Sequence, residues 1–459
     1  MRRSRSAVAG GRVMLVVRVM LAVRVMLAVR GVLVAWAVPV VAAAVALATA
    51  GCSAAPPVGG DDVAAMGHPP VSLGTASRVR AANPRPYGAA DTAFGLDLLG
   101  AWCRSQPGSN IVFSPESLAT GLGMAYLGAR GGTATAMARV LHLPVASGLP
   151  LEAGMRARWA ALGKIDGPGV TLDGSNRVWA DPSFSTLRSY LDAVATAYSA
   201  GLWRAPLQSD PEKARQMINA VIAHDTRGHI PELLPAGSLG GAGWVLTDAL
   251  YLDADWATPF AHGLTEPGQF ATASGGTTTA QFMHGDGYRS ATADGWTAVA
   301  LPYKGGRLAM TALLPPAGPA ASGCQVPPTA AVSKISTTLY GPGGGNGGLV
   351  SVALPKVNLS SHQDMTSLLT RLGMGIAFAG AANFTGLSPA ACCISTVEHA
   401  ATLQVNEKGT VASAATGVVI MPSMAMLQVA FDRPYLMLVT DKATGEPLFL
   451  ARVADPAAP

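Results

Sequence analysis

The chain reads as an α+β protein: one domain over residues 89–456, behind an N-terminal segment of different composition. Three observations carry this. Helix-period apolar patterns crowd the first half of the domain and strand-like runs the second, with no boundary between two independent cores. Hydrophobic residues make up 49% of the 459 positions, ample for a sizeable core. Residues 1–52 hold seven arginines and no Asp, Glu or Lys, unlike anything after them.

That first segment explains the charge. The formal net charge is +5, but beyond residue 52 there are 25 basic and 27 acidic side chains, a net of −2. The domain therefore offers no electrostatic case for a nucleic-acid partner. Gly31–Ala50 is a charge-free run of 20 residues that follows arginines, as an export signal does. It ends in Ala48-Thr49-Ala50-Gly51-Cys52, similar to a bacterial lipobox except that Thr49 stands where Leu is usual. Lipidation at Cys52 would tether the protein to the cell surface, cleavage after Ala50 would release it, and an uncleaved run would anchor it. Arg-Val-Met-Leu recurs at Arg12, Arg18 and Arg24, a period of six that suits neither helix nor strand. It reads as a coding repeat, upstream of a start at Met26. Residues 53–88, rich in Ala, Pro, Gly and Ser, read as a flexible linker.

Within the domain, Ala93, Phe94, Leu96, Leu98, Leu99 and Trp102 predict an amphipathic helix over Asp91–Trp102. Asn110–Phe113 is a short apolar strand closed by Ser114-Pro115. A helix follows through Leu118, Leu122, Met124 and Leu127 to Gly128, and another runs from Thr133 to before Pro144. Helical spacing recurs over Leu187–Tyr198 and Glu212–His224, and Gly228–Gly237 breaks it. Strands are predicted at Trp244–Leu252, Thr297–Tyr303, Leu308–Leu314, Leu349–Leu354, Leu403–Val405, Leu427–Phe431, Tyr435–Thr440 and Leu448–Val453. The Gly/Pro-rich stretch Cys324–Gly348 reads as a long surface insertion.

No enzyme motif emerges. There is no Gly-x-Ser-x-Gly elbow, no His-Glu-x-x-His and no Walker loop, and the eight histidines form no cluster. No metal site is expected: Cys392-Cys393 is not a ligand spacing and no Cys-x-x-Cys occurs. Export permits a disulfide among Cys103, Cys324, Cys392 and Cys393, but its pairing is not legible, and buried thiols fit as well.

One segment is unusual. Between Lys408 and Asp432 there is no charged residue, nearly every side chain from Thr410 to Gly417 is small, and Pro422 is the only proline before Met426. A chain of that kind can enter the middle of a sheet, which rejects proline and buried charge. An ordinary Ala/Ser-rich loop or a weak helix has the same composition. Twelve residues from Thr410 to Met421 would span about 40 Å at roughly 3.3 Å each.

Here the chain resembles the serpin family, and the resemblance covers essentially all of 89–456. Asn110-Ile-Val-Phe-Ser-Pro115, Gly128-Ala-Arg-Gly-Gly-Thr133, Asn176-Arg-Val-Trp179, Thr226-Arg-Gly-His-Ile230, Trp256-x-x-Pro-Phe260 and Leu301-Pro-Tyr303 follow in family order. So do Leu354-Pro-Lys356, Leu372-Gly-Met374, Phe384-Thr-Gly386, Asn406-Glu-Lys-Gly-Thr410, Arg433-Pro-Tyr435 and Leu448-Phe-Leu-Ala-Arg-Val453. The resemblance implies helices packed on three β-sheets with an exposed reactive-centre loop. It implies a monomer that inhibits proteases as a suicide substrate, in a covalent complex, with no catalytic group and no cofactor of its own. The hinge would be Glu407, Gly409, Thr410, Ala412, Ser413, Ala414, Ala415 and Thr416. The bait bond falls between Ser423 and Met424, with Met421 as the alternative. With no Arg or Lys from 409 to 432, the expected partners are elastase-, chymotrypsin- or subtilisin-like serine proteases, or some cysteine proteases. A non-inhibitory serpin, acting as a surface binding protein, is the alternative. Sheet opening would involve Ser114, Ser117, Asp248, Trp256 and His399. Asp248 stands where the family has Asn, and a carboxylate facing His399 would make loop insertion sensitive to pH.

Overall fold

In the computed structural model, residues 69–318, 323–341, 348–410 and 426–458 are described. The helices are α1 (Arg85–Ser105), α2 (Pro115–Gly128), α3 (Gly131–Val140), α4 (Gly148–Leu162), α5 (Arg188–Tyr198), α6 (Pro211–Asp225) and α7 (Thr329–Tyr340), with a short helical run from Thr366 to Phe378. The strands are β1 (Val71–Ser72), β2 (Ile111–Phe113), β3 (Val170–Ala180), β4 (Leu202–Arg204), β5 (Trp244–Asp255), β6 (Glu266–Ala271), β7 (Thr277–Ala293) and β8 (Trp296–Pro302). They continue with β9 (Leu308–Leu314), β10 (Leu349–Pro355), β11 (Val357–Asp364), β12 (Val397–Val405), β13 (Gly409–Thr410), β14 (Leu427–Ala430), β15 (Tyr435–Asp441) and β16 (Glu446–Val453).

Local chemistry sets the element ends. The side chain of Ser114 accepts from the Ser117 amide at 3.1 Å and Pro115 occupies the first helical turn, so α2 begins on a capped, pre-formed end. Asp210 caps α6 in the same way, through the Lys213 amide. Strands β7 and β8 are joined by Asp294-Gly295, both at positive φ (50° and 81°), the two-residue turn whose twist matches an antiparallel hairpin.

The first sheet has the order β1-β4-β3-β5-β13-β12-β11. It is covered on both faces. Val245 and Ala249 of β5 share a core with Ile218 and Val221 of α6, while Leu246 shares another with Leu122 of α2. Burial on both sides explains why β5 reads as a continuous apolar run rather than an alternating one. The second sheet has the order β14-β10-β7-β8-β9-β15-β16-β2, with β6 paired to β7. The second and third of the three expected sheets are thus joined. Strand β7 has 17 residues, and its first part pairs with β6 and β10 while its last part pairs with β8.

Two expectations are corrected. The stretch 324–348 is not a plain insertion, because α7 runs through it. Ala331, Val332, Ile335 and Leu339 lie on one buried face, each large side chain contributing about 1.5–3 kcal/mol by burial. The apolar spacing was present, but flanking glycines and prolines masked it. The expected linker does not extend to 88 as a free segment. From residue 69 onward the chain is attached, through β1 paired to β4, the Thr75 amide on Asp192, and the Ser77 amide on Thr196. The apolar pattern of the sequence does not mark helix α4 or strand β3.

Cys103 of α1 is bonded to Cys324, which precedes α7, across 221 residues of sequence. Cys392 and Cys393 are free. A cross-link closing so long a loop restricts the unfolded chain and stabilises typically by about 2–4 kcal/mol. Reduction, or paired Cys103→Ser and Cys324→Ser substitution, should lower the thermal midpoint. Calorimetry with and without reductant checks this, and an unchanged midpoint would count against a structural role.

Candidate functional site

Strands β5 and β12 run parallel and pair directly over Leu246–Leu250 and Val397–Ala401. Toward their C-terminal ends they part, and β13 fills the gap, antiparallel to both: Thr410 faces Val405 of β12 and Ala254 of β5. The chain therefore leaves β12, turns, and re-enters the same sheet as the first two residues of a new central strand.

Asn406 makes the turn. Its side-chain oxygen accepts from the amides of Lys408 (3.0 Å) and Gly409 (3.3 Å), and its own amide donates to the Gly409 carbonyl (3.0 Å). Trp256 holds the turn from the β5 side. Its indole N–H donates to the Asn406 carbonyl at 2.9 Å and its amide to the Lys408 carbonyl at 2.7 Å. The indole stacks on Tyr303 with centroids 4.5 Å apart, and the Tyr303 hydroxyl bonds the Thr410 hydroxyl at 2.7 Å, both buried. Gly409 is obligatory on steric grounds, since a Cβ there would lie 2.0 Å from the Ala254 carbonyl oxygen.

Glu407 is 3% exposed. It accepts from Thr265 (2.9 Å) and pairs with Lys356 (3.0 Å), with His262 at 3.4 Å. Burial alone would raise its pKa, but its own amide, Lys356 and Thr265 outweigh that and hold the carboxyl below its ordinary value. Its contribution to stability is therefore present above the usual carboxylate pKa and lost as pH falls through the lowered one.

Midway along the direct pairing, His399 and Asp248 are register partners across β12 and β5. His399 Nδ1 lies 2.6 Å from Asp248 Oδ1, and Nε2 accepts from the Ser114 amide at 3.1 Å. An imidazole that accepts at Nε2 is neutral and carries its proton on Nδ1, so it donates to Asp248. The expected charge-assisted pair is thus a neutral imidazole bonded to a carboxyl oxygen. Protonating the ring would break the Ser114 bond. Ser117 Oγ donates to Asn176 on β3 at 2.8 Å, so the first turn of α2 grips strands on both sides of β5.

The structure brings Ser114, Ser117, Asp248 and His399 together at the middle of the direct β5–β12 pairing, and Trp256, Glu407, Gly409 and Thr410 around the gap beyond it that β13 fills. Ala412, Ser413, Ala414, Ala415, Thr416, Met421, Ser423, Met424 and Cys52 lie outside the described residues. Tyr303, Asn406, Lys356 and Asn176 also belong to the site, and each lies inside a family motif. Their contacts cross from strand to strand, which residue spacing does not reveal. No metal-holding group of His, Cys, Asp or Glu occurs among the described residues, and no described helix is long and apolar enough to cross a membrane.

The comparisons agree with this architecture. The family model Serpin (serine protease inhibitor) matches residues 89–456, and the chain belongs to the serpin family. Leukocyte elastase inhibitor of Bos taurus is 32% identical over 380 residues, covering 80% of this chain and 99% of that protein. An uncharacterized serpin-like protein of Thermococcus kodakarensis is 31% identical over 355 residues, 76% of this chain and 81% of its own. The fold is similar to native tengpin, a thermophilic serpin (TM-score 0.71, 22% identity, 84% of this chain and 97% of that one). It is also similar to uncleaved ovalbumin (TM-score 0.69, 24% identity, 81% and 100%).

Three substitutions test the site. Asp248→Ala leaves a buried imidazole N–H without an acceptor, at a cost of about 1–3 kcal/mol, and should lower the thermal midpoint, whereas Asp248→Asn keeps an acceptor and should change it little. Equal midpoints for Asp248→Ala and the parent chain would contradict the cross-strand bond. Gly409→Ala drives a Cβ into the β5 backbone and should expel β13. Hydrogen exchange of the peptide spanning 405–410 should accelerate; unchanged protection would show that β13 tolerates a side chain there.

Proposed function

We propose that this serpin inhibits serine-type endopeptidases by offering the segment after β13 as a suicide substrate. The observation that carries the reading is β13 itself. The first residues of the hinge already pair in the antiparallel sense that an inserted strand requires, and the residues that follow are small and uncharged.

The chemistry belongs to the protease. Its nucleophile attacks the carbonyl of the bait bond, assigned to Ser423–Met424 with Met421 as the alternative acyl donor, and forms an acyl-enzyme. Cleavage frees residues 411 onward from their distal attachment. They then continue β13 between β5 and β12, exchanging one set of direct strand pairs for two. Each additional backbone hydrogen bond contributes on the order of 1 kcal/mol net. The acylated protease is carried along with the moving strand. Small and apolar bait residues favour elastase-, chymotrypsin- or subtilisin-like enzymes, and leukocyte elastase inhibitor among the relatives is consistent with that class.

The protein works outside the cytoplasm as a monomer. Residues 1–52 direct export, Cys52 is the lipid-bearing residue of the anchored form, and the segment from 53 spaces the domain from the membrane. The Cys103–Cys324 bond suits an oxidising compartment.

Incubation with elastase and subtilisin should give a complex that survives denaturing electrophoresis, and the fragment released should begin at Met424. Thr410→Arg places a charge at a fully buried sheet position, and should convert the inhibitor into a substrate, cleaved without a complex. Cleavage of the parent chain with neither a complex nor a rise in thermal stability would overturn the reading.

A further inference from the structure

Behind α2, away from the segment that the proposed trap uses, lies a buried cluster with more carboxyl groups than positive charge. Arg158 of α4, 3% exposed, reaches between α1, α2 and β16. It pairs closely with Asp91 of α1, donates to the Thr120 hydroxyl of α2 at 2.6 Å, and lies 3.7 Å from Glu446 of β16. The Thr120 hydroxyl in turn donates to Glu116 at 2.8 Å. Asp91, Glu116 and Glu446 are each no more than 3% exposed. Among the described residues, neither oxygen of Glu446 has a hydrogen-bond partner, nor does the Tyr198 hydroxyl beside the cluster.

One guanidinium offsets one carboxylate. Ionising all three in so dry a site would leave charges uncompensated, at several kcal/mol each. Protons must therefore be held there. Burial and the adjacent Asp91 push Glu446 well above its ordinary range. Burial also pushes Glu116 up to about 7, with Arg158 and Thr120 opposing and Asp248 and Asp91 assisting. The groups facing it are Asp91 from α1, Arg158 from α4, Tyr198 from α5, Glu446 from β16, Asp248 from β5, and His399 of β12 beyond Asp248.

Its position gives the proton a mechanical consequence. Glu116 lies between Ser114, whose amide bonds His399 on β12, and Ser117, whose hydroxyl bonds Asn176 on β3. We propose that Glu116 is a proton-linked latch on the loop-exposed fold: protonated, it lets the first turn of α2 hold the strands of the first sheet together, and ionised, it strains that turn and eases their separation. The sign follows from linkage. A carboxyl raised in the folded state stabilises fully below its unfolded value, near 4.5, and that stability is lost as pH rises through the folded one, near 7. The native fold is therefore firmer at mildly acidic than at mildly alkaline pH. As a regulator of trapping, the latch rests on the inhibitory reading above. As a property of the fold it does not, and a thermal readout separates the two.

The test is the thermal midpoint of the full chain between pH 5 and pH 8.5. The parent midpoint should fall as pH crosses about 7. Glu116→Gln should remove that fall, and Asp248→Asn should move it to lower pH, because one carboxylate facing Glu116 is gone. A merely structural role would shift the midpoint equally at every pH, and parallel curves for the parent and Glu116→Gln would overturn the proposal. Should the glutamine variant fail to fold, carboxyl-carbon NMR of the parent chain decides. One buried glutamate titrating near pH 7 supports the latch, and none in that range overturns it.

Discussion

The direct pairing of β5 with β12 is the contact on which the rest of the molecule turns. Two parallel strands in the middle of a sheet, their paired residues 151 apart in sequence, are joined over only five register pairs. Parallel pairs are slightly weaker per residue than antiparallel ones. Here the strands on either side are antiparallel to their neighbours, β3 to β5 and β11 to β12. A strand entering between β5 and β12 would make both of its own pairings antiparallel, as β13 already does. Adding a strand at the seam thus replaces one parallel pairing by two antiparallel ones.

The seam and the β13-filled gap beyond it are held by different chemistry. At the β13 end the contacts are packed and sterically specified: the stacked pair Trp256–Tyr303, the Asn406 turn, and a glycine pressed against the Ala254 carbonyl. Midway along the direct pairing they are polar and deeply buried, with His399 bonded to both Asp248 and the Ser114 amide. A steric fit changes little with solution conditions, while a buried hydrogen-bonded array responds to protons. Glu116 extends this polar array into the helical layer, where charge is out of balance around Arg158. Burying surplus carboxyl groups stabilises nothing in itself. What it does is make the helix start that grips the sheet sensitive to its surroundings.

The primary structure carried the α+β class, most of the central strands, and the hinge pattern Glu407-Lys-Gly-Thr410, because these depend on local periodicity and on side chains that must be small or uncharged wherever they sit. It also placed Asp248 opposite His399, through family order rather than spacing. It concealed α7, whose apolar face at Ala331, Val332, Ile335 and Leu339 lies between glycine-rich flanks. It concealed the continuity of two sheets through β7, which depends on one strand changing partners along its length. Tertiary structure alone decided that Cys103 meets Cys324, that Thr410 is already within the sheet, and that Asp91, Glu116 and Glu446 share one arginine. The physical reason is common to all three. Each is a contact between residues far apart in sequence, and burial and charge balance are properties of the space they enclose rather than of any one segment.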